Sequence, residues 1–204
     1  WTFALREMRS GLAGFRVFLA CIAIGVAAIG AVNSVATGIN SGIEAEGKNI
    51  LGGDLRFELV QRTVTDKERA YLNGLGTVAE TTSARSMARR EDQSDQSLAE
   101  VKAVDGLYPL YGALVTEPAL DRADLFKQIS GRFGAAAPQI LFDRLNLKIG
   151  DTLLVGEGRF ELRAVIVKEP DALSEGFGFA PRLLISKEGI AATQLERPGS
   201  LTEY

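Results

Sequence analysis

From Val17 to Val32 every residue is apolar or glycine, and after Asn33 and Ser34 the pattern continues through Val35 and Ala36. Nothing else constrains the chain so tightly. An uncharged helix of this length, rising about 1.5 Å per residue, reaches across a hydrocarbon layer about 30 Å thick. The apolar region of a secretory leader is usually only about 7–15 residues, and a buried helix of a small soluble domain is similarly short. The run is therefore read as a transmembrane helix over residues 17–36. Arg6, Arg9 and Arg16 precede it, whereas Glu44 and Glu46 follow it before the first basic residue, Lys48. The positive-inside bias then puts the amino terminus in the cytoplasm and the rest of the chain across the membrane.

Upstream, Trp1, Leu5, Met8, Leu12 and Phe15 recur at helical steps among Arg6, Glu7, Arg9 and Ser10. This pattern suits an interfacial helix over 1–16, with a longer end of the membrane helix as the plainer reading. Beyond the span, Val35, Ile39 and Ile43 continue a helical stripe whose other side is kept small by Gly38, Ser41, Gly42 and Gly47. Residues 37–53 are read as a stalk, either packed on neighbouring helices or a glycine-weakened end without a partner.

The soluble part, 54–204, reads as α+β. Leu55, Phe57 and Leu59 alternate with Arg56 and Glu58 after the turn Gly52-Gly53-Asp54, which predicts a half-buried strand. Thr65-Asp66-Lys67-Glu68 is a capping box opening a helix to about Asn73. Strands over 78–87 and 98–104 flank a polar hairpin tip, Arg89 to Gln96, for which a solvated loop is the plainer reading than a docking site. A helix is expected over 119–128 with Leu125 and Phe126 facing the core, and another after Pro138 carrying Ile140, Leu141, Leu145 and Leu147. Strands at 152–155 and 159–166 form a hairpin, followed by short strands at 182–185 and 201–204 with a brief helix from about Ser186 between them. Hairpins mixed with helices, and no long βαβ series, favour α+β.

Chemistry is hard to find. The 204 residues contain no histidine and one cysteine, Cys21, which lies inside the apolar run. That removes Ser-His-Asp and Cys-His catalysis, a disulfide framework and thiolate or histidine metal sites. A net charge of −3 without a Lys/Arg block gives no footprint for nucleic acid. There is no G-x-x-x-x-G-K-[ST] phosphate loop and no S-x-x-K, and Ser186-Lys187 reads as part of an exposed loop. Asp66, Glu68, Asp92, Asp95, Glu169 and Asp171 fall in turns, caps and polar loops where solvated carboxylates are expected. Ser174 to Phe179 reads as a loop whose two aromatics tuck into the core, or as a mobile recognition loop. No catalytic, cofactor-binding or metal-ligating residue is assigned.

Four stretches, taken in order, resemble the amino-terminal portion of ABC-transporter permeases of the MacB/FtsX type, in particular the predicted lysophospholipase-related export permeases. They are Leu5-Arg6-Glu7-Met8-Arg9-Ser10-Gly11-Leu12 with Gly14-Phe15-Arg16; Leu51-Gly52-Gly53-Asp54-Leu55; Val101-Lys102-Ala103-Val104-Asp105 with Tyr108-Pro109-Leu110-Tyr111-Gly112; and Asp143 to Asp151. Glu169-Pro170-Asp171, Gly176-Phe177 and Pro181-Arg182 extend the match. The resemblance implies a first periplasmic core domain (MacB-like) held at a bacterial inner membrane. It also implies further membrane helices beyond Tyr204, a separate cytoplasmic ATP-binding subunit as partner, and a second permease subunit. Its implied activity is transport or extraction of a lipid, lipoprotein or other envelope substrate, without catalysis by this chain. Opening on Trp1 and ending on a strand, the chain reads as a fragment. Two competing readings are a single-anchor periplasmic binding module and a membrane-anchored hydrolase, which would require a buried acidic pair.

Overall fold

The computed structural model describes residues 2–171, 180–197 and 202–204, the side chains of 2–14 and 43–45 excepted. The chain divides into two compact units, Trp1–Gly47 and Lys48–Tyr204.

The described residues of the first unit are helical. Helix α1 runs without a break over Thr2–Leu51, taking in residues 2–16 of the expected interfacial segment, the expected span 17–36 and residues 37–51 of the expected stalk. Within it Phe15–Gly42 is long and apolar enough to cross a membrane. Its large apolar side chains, Phe18, Ile24, Ile29 and Val32 among them, are exposed, as a span that relies on lipid for its apolar surroundings requires. Two of its hydroxyls bond back onto the helix: Thr37 Oγ1 donates to the Asn33 carbonyl at 2.9 Å and Ser41 Oγ to the Thr37 carbonyl at 2.7 Å.

The second unit starts with α2 (Asp66–Leu75), β1 (Thr81–Arg90), β2 (Gln96–Val104), β3 (Val115–Glu117), α3 (Arg122–Phe126) and β4 (Phe133–Ala137). It continues with α4 (Gln139–Leu145), β5 (Thr152–Val155), β6 (Gly158–Lys168), β7 (Arg182–Ser186), α5 (Lys187–Thr193) and β8 (Thr202–Glu203). Neighbours in the sheet run β2-β7-β4-β6-β5-β1, and β1 pairs back onto β2, so the strands close into a mixed barrel. The β2–β7 and β4–β6 pairs are parallel and the others in this ring antiparallel.

Strand alternation sorts the core into two sides. Ala99, Val101 and Ala103 of β2, Leu183 and Ile185 of β7, and Leu153 and Val155 of β5 join Phe160 and Leu162 on one side. Leu141, Phe142 and Leu145 of α4 and Ile190 of α5 close it. On the opposite side Val104, Leu184, Ala136 and Ala164 pack with Tyr108, Leu125 and Phe126. The β4–β6 register shifts between Ala135 and Ala136, whose partners are Leu162 and Ala164, which leaves Arg163 as the extra residue of a bulge. Its guanidinium donates to the carbonyls of Asp124 and Lys127, both at 2.8 Å, and so fastens the end of α3. Gly134 makes room for this, because a Cβ there would overlap the Leu125 carbonyl and the Arg163 guanidinium.

The capping box, both hairpins, Pro138 at the start of α4 and burial of Leu125 and Phe126 stand as expected. Two expectations need correction, and one strand is new. The alternating segment 55–59 forms no strand: Leu55 and Phe57 are 72% and 60% exposed, and among the described residues its neighbourhood meets the sheet through backbone bonds of Leu59 and Gln61 to Tyr204 and Thr202 and a bridge from Val60 to Glu203. Strand β4 was not anticipated, because Phe133-Gly134-Ala135-Ala136-Ala137 lacks the β-branched residues that signal a strand, and its small side chains are fitted to a crowded barrel wall. The expected helix 119–128 shortens to α3 because it must turn into β4. The expected loop Ser174 to Phe179 lies outside the described residues.

Glu68 in the capping box is held well below its ordinary 4.5, at about 2, first by the hydrogen bonds from Arg62 and then by those from Thr65. A depressed carboxyl contributes stability above pH 4.5 that is lost as pH falls toward about 2. The Glu68 carboxyl signal in an NMR titration is therefore expected to have its midpoint near pH 2, moving up in Arg62→Ala, with α2 fraying only as that proton binds.

Candidate functional site

Of the two sides of the barrel wall, the one bearing Val104 carries a feature with no place in an ordinary apolar core. Along β2 the residues on that side are Leu98, Glu100, Lys102 and Val104, and Lys102 is 0% exposed. A buried ammonium is tolerated only when paired and hydrogen-bonded. The connection from β6 to β7 supplies the partners: Lys102 Nζ lies 2.8 Å from Asp171 Oδ2 and 3.4 Å from Glu169 Oε1, with those carboxylates 8% and 7% exposed. Arg182, opening β7 beside β2, lies 3.1 Å from Glu169 and 3.5 Å from Glu100. Tyr108 completes the cluster. Its hydroxyl donates to Asp171 Oδ1 at 2.9 Å, and its ring lies under Lys102 Nζ with 5.0 Å to the centroid. Burial, with Glu169 and Asp171 alongside, raises the Tyr108 pKa, so the phenol stays protonated as a donor.

Local geometry sets Tyr108 in place. Asp105 Oδ1 accepts from the Leu107 and Tyr108 amides at 2.9 and 3.1 Å, and Arg122 donates to the Asp105 and Tyr108 carbonyls at 2.5 and 2.9 Å.

The last turn of α1 is built onto this cluster. The Asp171 amide donates to the Asn49 carbonyl at 2.9 Å, and the Gly52 amide closes the helix onto the Lys48 carbonyl at 2.9 Å. Gly52 has φ +78°, and a Cβ there would stand 3.2 Å from Asp171 Cβ and 3.3 Å from Oδ2. At the surface Asp54 accepts from Tyr111 at 2.7 Å and pairs with Lys48 at 2.6 Å. Lys48, followed by Tyr111, holds the Asp54 carboxyl below its usual range.

The carboxylates set aside as solvated therefore divide. Asp66, Asp92 and Asp95 are exposed, and Glu68 serves in its cap. Glu169 and Asp171 are buried, because a tertiary cation drew their turn onto the sheet. They form a buried acidic pair, but each faces a cation, and the arrangement fits a structural joint better than acid–base chemistry. Ser186, expected in a loop, is buried at the end of β7 and caps α5 by accepting from the Gly189 amide at 3.2 Å, while Lys187 pairs with Glu80. Among the described residues no group of acidic or cysteine side chains is gathered to hold a metal ion. A groove of about 1030 Å³ borders this cluster at Gly52, Tyr108 and Asp171, and its lining mixes apolar residues such as Leu55, Phe57, Tyr71 and Leu75 with charged ones such as Arg56, Arg69 and Glu80.

Motifs scattered along the sequence thus meet at one place. Gly52 and Asp54, Lys102, Tyr108 with Tyr111, the Glu169-Pro170-Asp171 turn and Arg182 all converge on the end of α1. Asp143 to Asp151 lies elsewhere, forming the end of α4 and the turn into β5.

No protein-family model matches the chain. Over 183 residues, 88% of its length, it is 31% identical to an uncharacterized ABC transporter permease, YbbP, of Escherichia coli K12. The chain is therefore homologous to a segment of an ABC transporter permease, the class its motifs resemble. It spans 21% of that curated relative's length. Among solved structures it is similar to the extracellular domain of the noncanonic ABC-type transporter YknZ from Gram-positive bacteria. The TM-score there is 0.43 and the identity 14%, covering 69% of this chain and 71% of that one. It is also similar to the periplasmic region of MacB from Actinobacillus actinomycetemcomitans, with a TM-score of 0.41 and 12% identity, covering 70% and 64%.

Removing one partner of a buried pair strands the other charge, which costs about 3–5 kcal/mol. Lys102→Met, measured by urea unfolding of the chain in detergent, is expected to lose stability in that range.

Proposed function

We propose that the chain is the opening part of a permease subunit of an ABC transporter. Its α1 would be the first membrane span, with the amino terminus in the cytoplasm, and its barrel domain would lie on the periplasmic side of a bacterial inner membrane. The observation that carries this reading is the 31% identity to an ABC transporter permease over 88% of the chain. The apolar stretch Phe15–Gly42 ahead of a folded domain supports it. As the resemblance to such permeases implies, the reading assigns ATP hydrolysis to a separate cytoplasmic subunit.

For the cargo, the reading favours a lipid, lipoprotein or other amphiphilic envelope substrate. Its support is the groove of mixed lining, where exposed Leu55, Phe57, Tyr71 and Leu75 suit an acyl chain and Arg56, Arg69 and Lys187 suit a polar headgroup. In this scheme the chain binds and moves cargo and catalyses no covalent step.

The intact gene product, affinity-purified from inner membranes, is expected to bring with it an ATP-binding subunit and to show ATP hydrolysis that a Walker-A lysine substitution in that partner abolishes. Purification without any nucleotide-hydrolysing partner, at full yield and in native-like lipid, would contradict the reading.

A further inference from the structure

Gly52-Gly53 directly follows the last residue of α1, and two glycines after a helix are the usual composition of a swivel. The surroundings here are arranged against swivelling. Gly52 sits at φ +78° with Asp171 directly against the place of its missing side chain, Gly53 is buried, and the Asp171 amide bonds the Asn49 carbonyl. Asp171 is in turn held by Lys102 from β2 and by the Tyr108 hydroxyl. Gly112, at φ +77°, brings the Tyr108 loop close to both Pro170 and the Asn49 side chain.

We infer that the Lys102–Asp171–Tyr108 cluster is a lock on this glycine pair, making the last turn of α1 move with strands β2 and β7 as one piece. Lys102 acts here as a positioning residue, through Asp171. A displacement of that turn would then reach the barrel wall instead of being absorbed at Gly52-Gly53. The use of such a lock rests on the permease reading. Its existence does not, so the test reads the lock alone and would stand if transport were disproved.

The test is amide hydrogen exchange by NMR or mass spectrometry on the chain in lipid nanodiscs, comparing the native sequence with Lys102→Met. The amides of Gly52 and Asp171 report the turn and its seat, and those of the β4–β6 ladder report global stability. The lock predicts that Gly52 and Asp171 exchange at least tenfold faster beyond any rise shared with β4–β6. Equal acceleration everywhere would reduce the cluster to ordinary fold stabilisation and overturn the inference, as would no change. Should Lys102→Met fail to fold, Tyr108→Phe keeps the ring and removes only the hydroxyl. It is expected to raise exchange at the same two amides by about threefold relative to β4–β6, and unchanged exchange there would equally overturn the lock.

Discussion

An ammonium group sealed inside a sheet wall imposes more on its surroundings than any apolar contact can. Lys102 has to be met by anions, because an unpaired buried charge costs several kcal/mol. Its place in β2 is dictated by alternation: Val101 and Ala103 face the core under α4, and residue 102 is therefore delivered to the opposite side. The rest of that side follows. The β6–β7 connection must bring Glu169 and Asp171 down onto the sheet, Arg182 must follow to balance Glu169, and Tyr108 must turn its hydroxyl inward. The apolar patch of Val104, Leu125, Phe126 and Leu184 fills the adjoining wall, so the charges lie beside a packed surface and not in solvent.

Much of the second unit could be read locally. The capping box at Thr65, the hairpins and the Pro138 helix start depend on residues within a few positions of one another, and local chemistry decides them. The failures are tertiary. Phe57 alternates like a strand residue but found no continuous ladder, and Ala135 to Ala137 carry little strand signal yet sit in the wall between β6 and β7. The site shows the same divide. Glu169 and Asp171 flank a proline and look solvated, since nothing nearby in sequence says that a cation more than sixty positions away will bury them. One clue was present: Lys102 stands between Val101 and Ala103-Val104, an uncompensated charge in a run otherwise fit for burial, and such a residue asks for a distant partner.

The likeness to an ABC transporter permease rests on the sequence, 31% identity over 88% of the chain, and the structure adds a helix with a stretch able to cross a bilayer. Within the second unit, Gly52, Lys102, Tyr108 and Asp171 converge on Lys48 to Leu51, so the start of that unit is held by hydrogen bonds and a buried ion pair. Two glycines in succession would ordinarily leave such a start loose, and here tertiary contacts fix it.

The most direct measurement of this account is a double-mutant cycle on Lys102 and Asp171, read as unfolding free energy in lipid or detergent. If the buried ion pair organises the wall, removing both members as Lys102→Met/Asp171→Leu restores much of what Lys102→Met loses, with a coupling energy of about 1–3 kcal/mol between them. Strict additivity, with the double variant as destabilised as the sum of the single ones, would contradict the central role given to this pair.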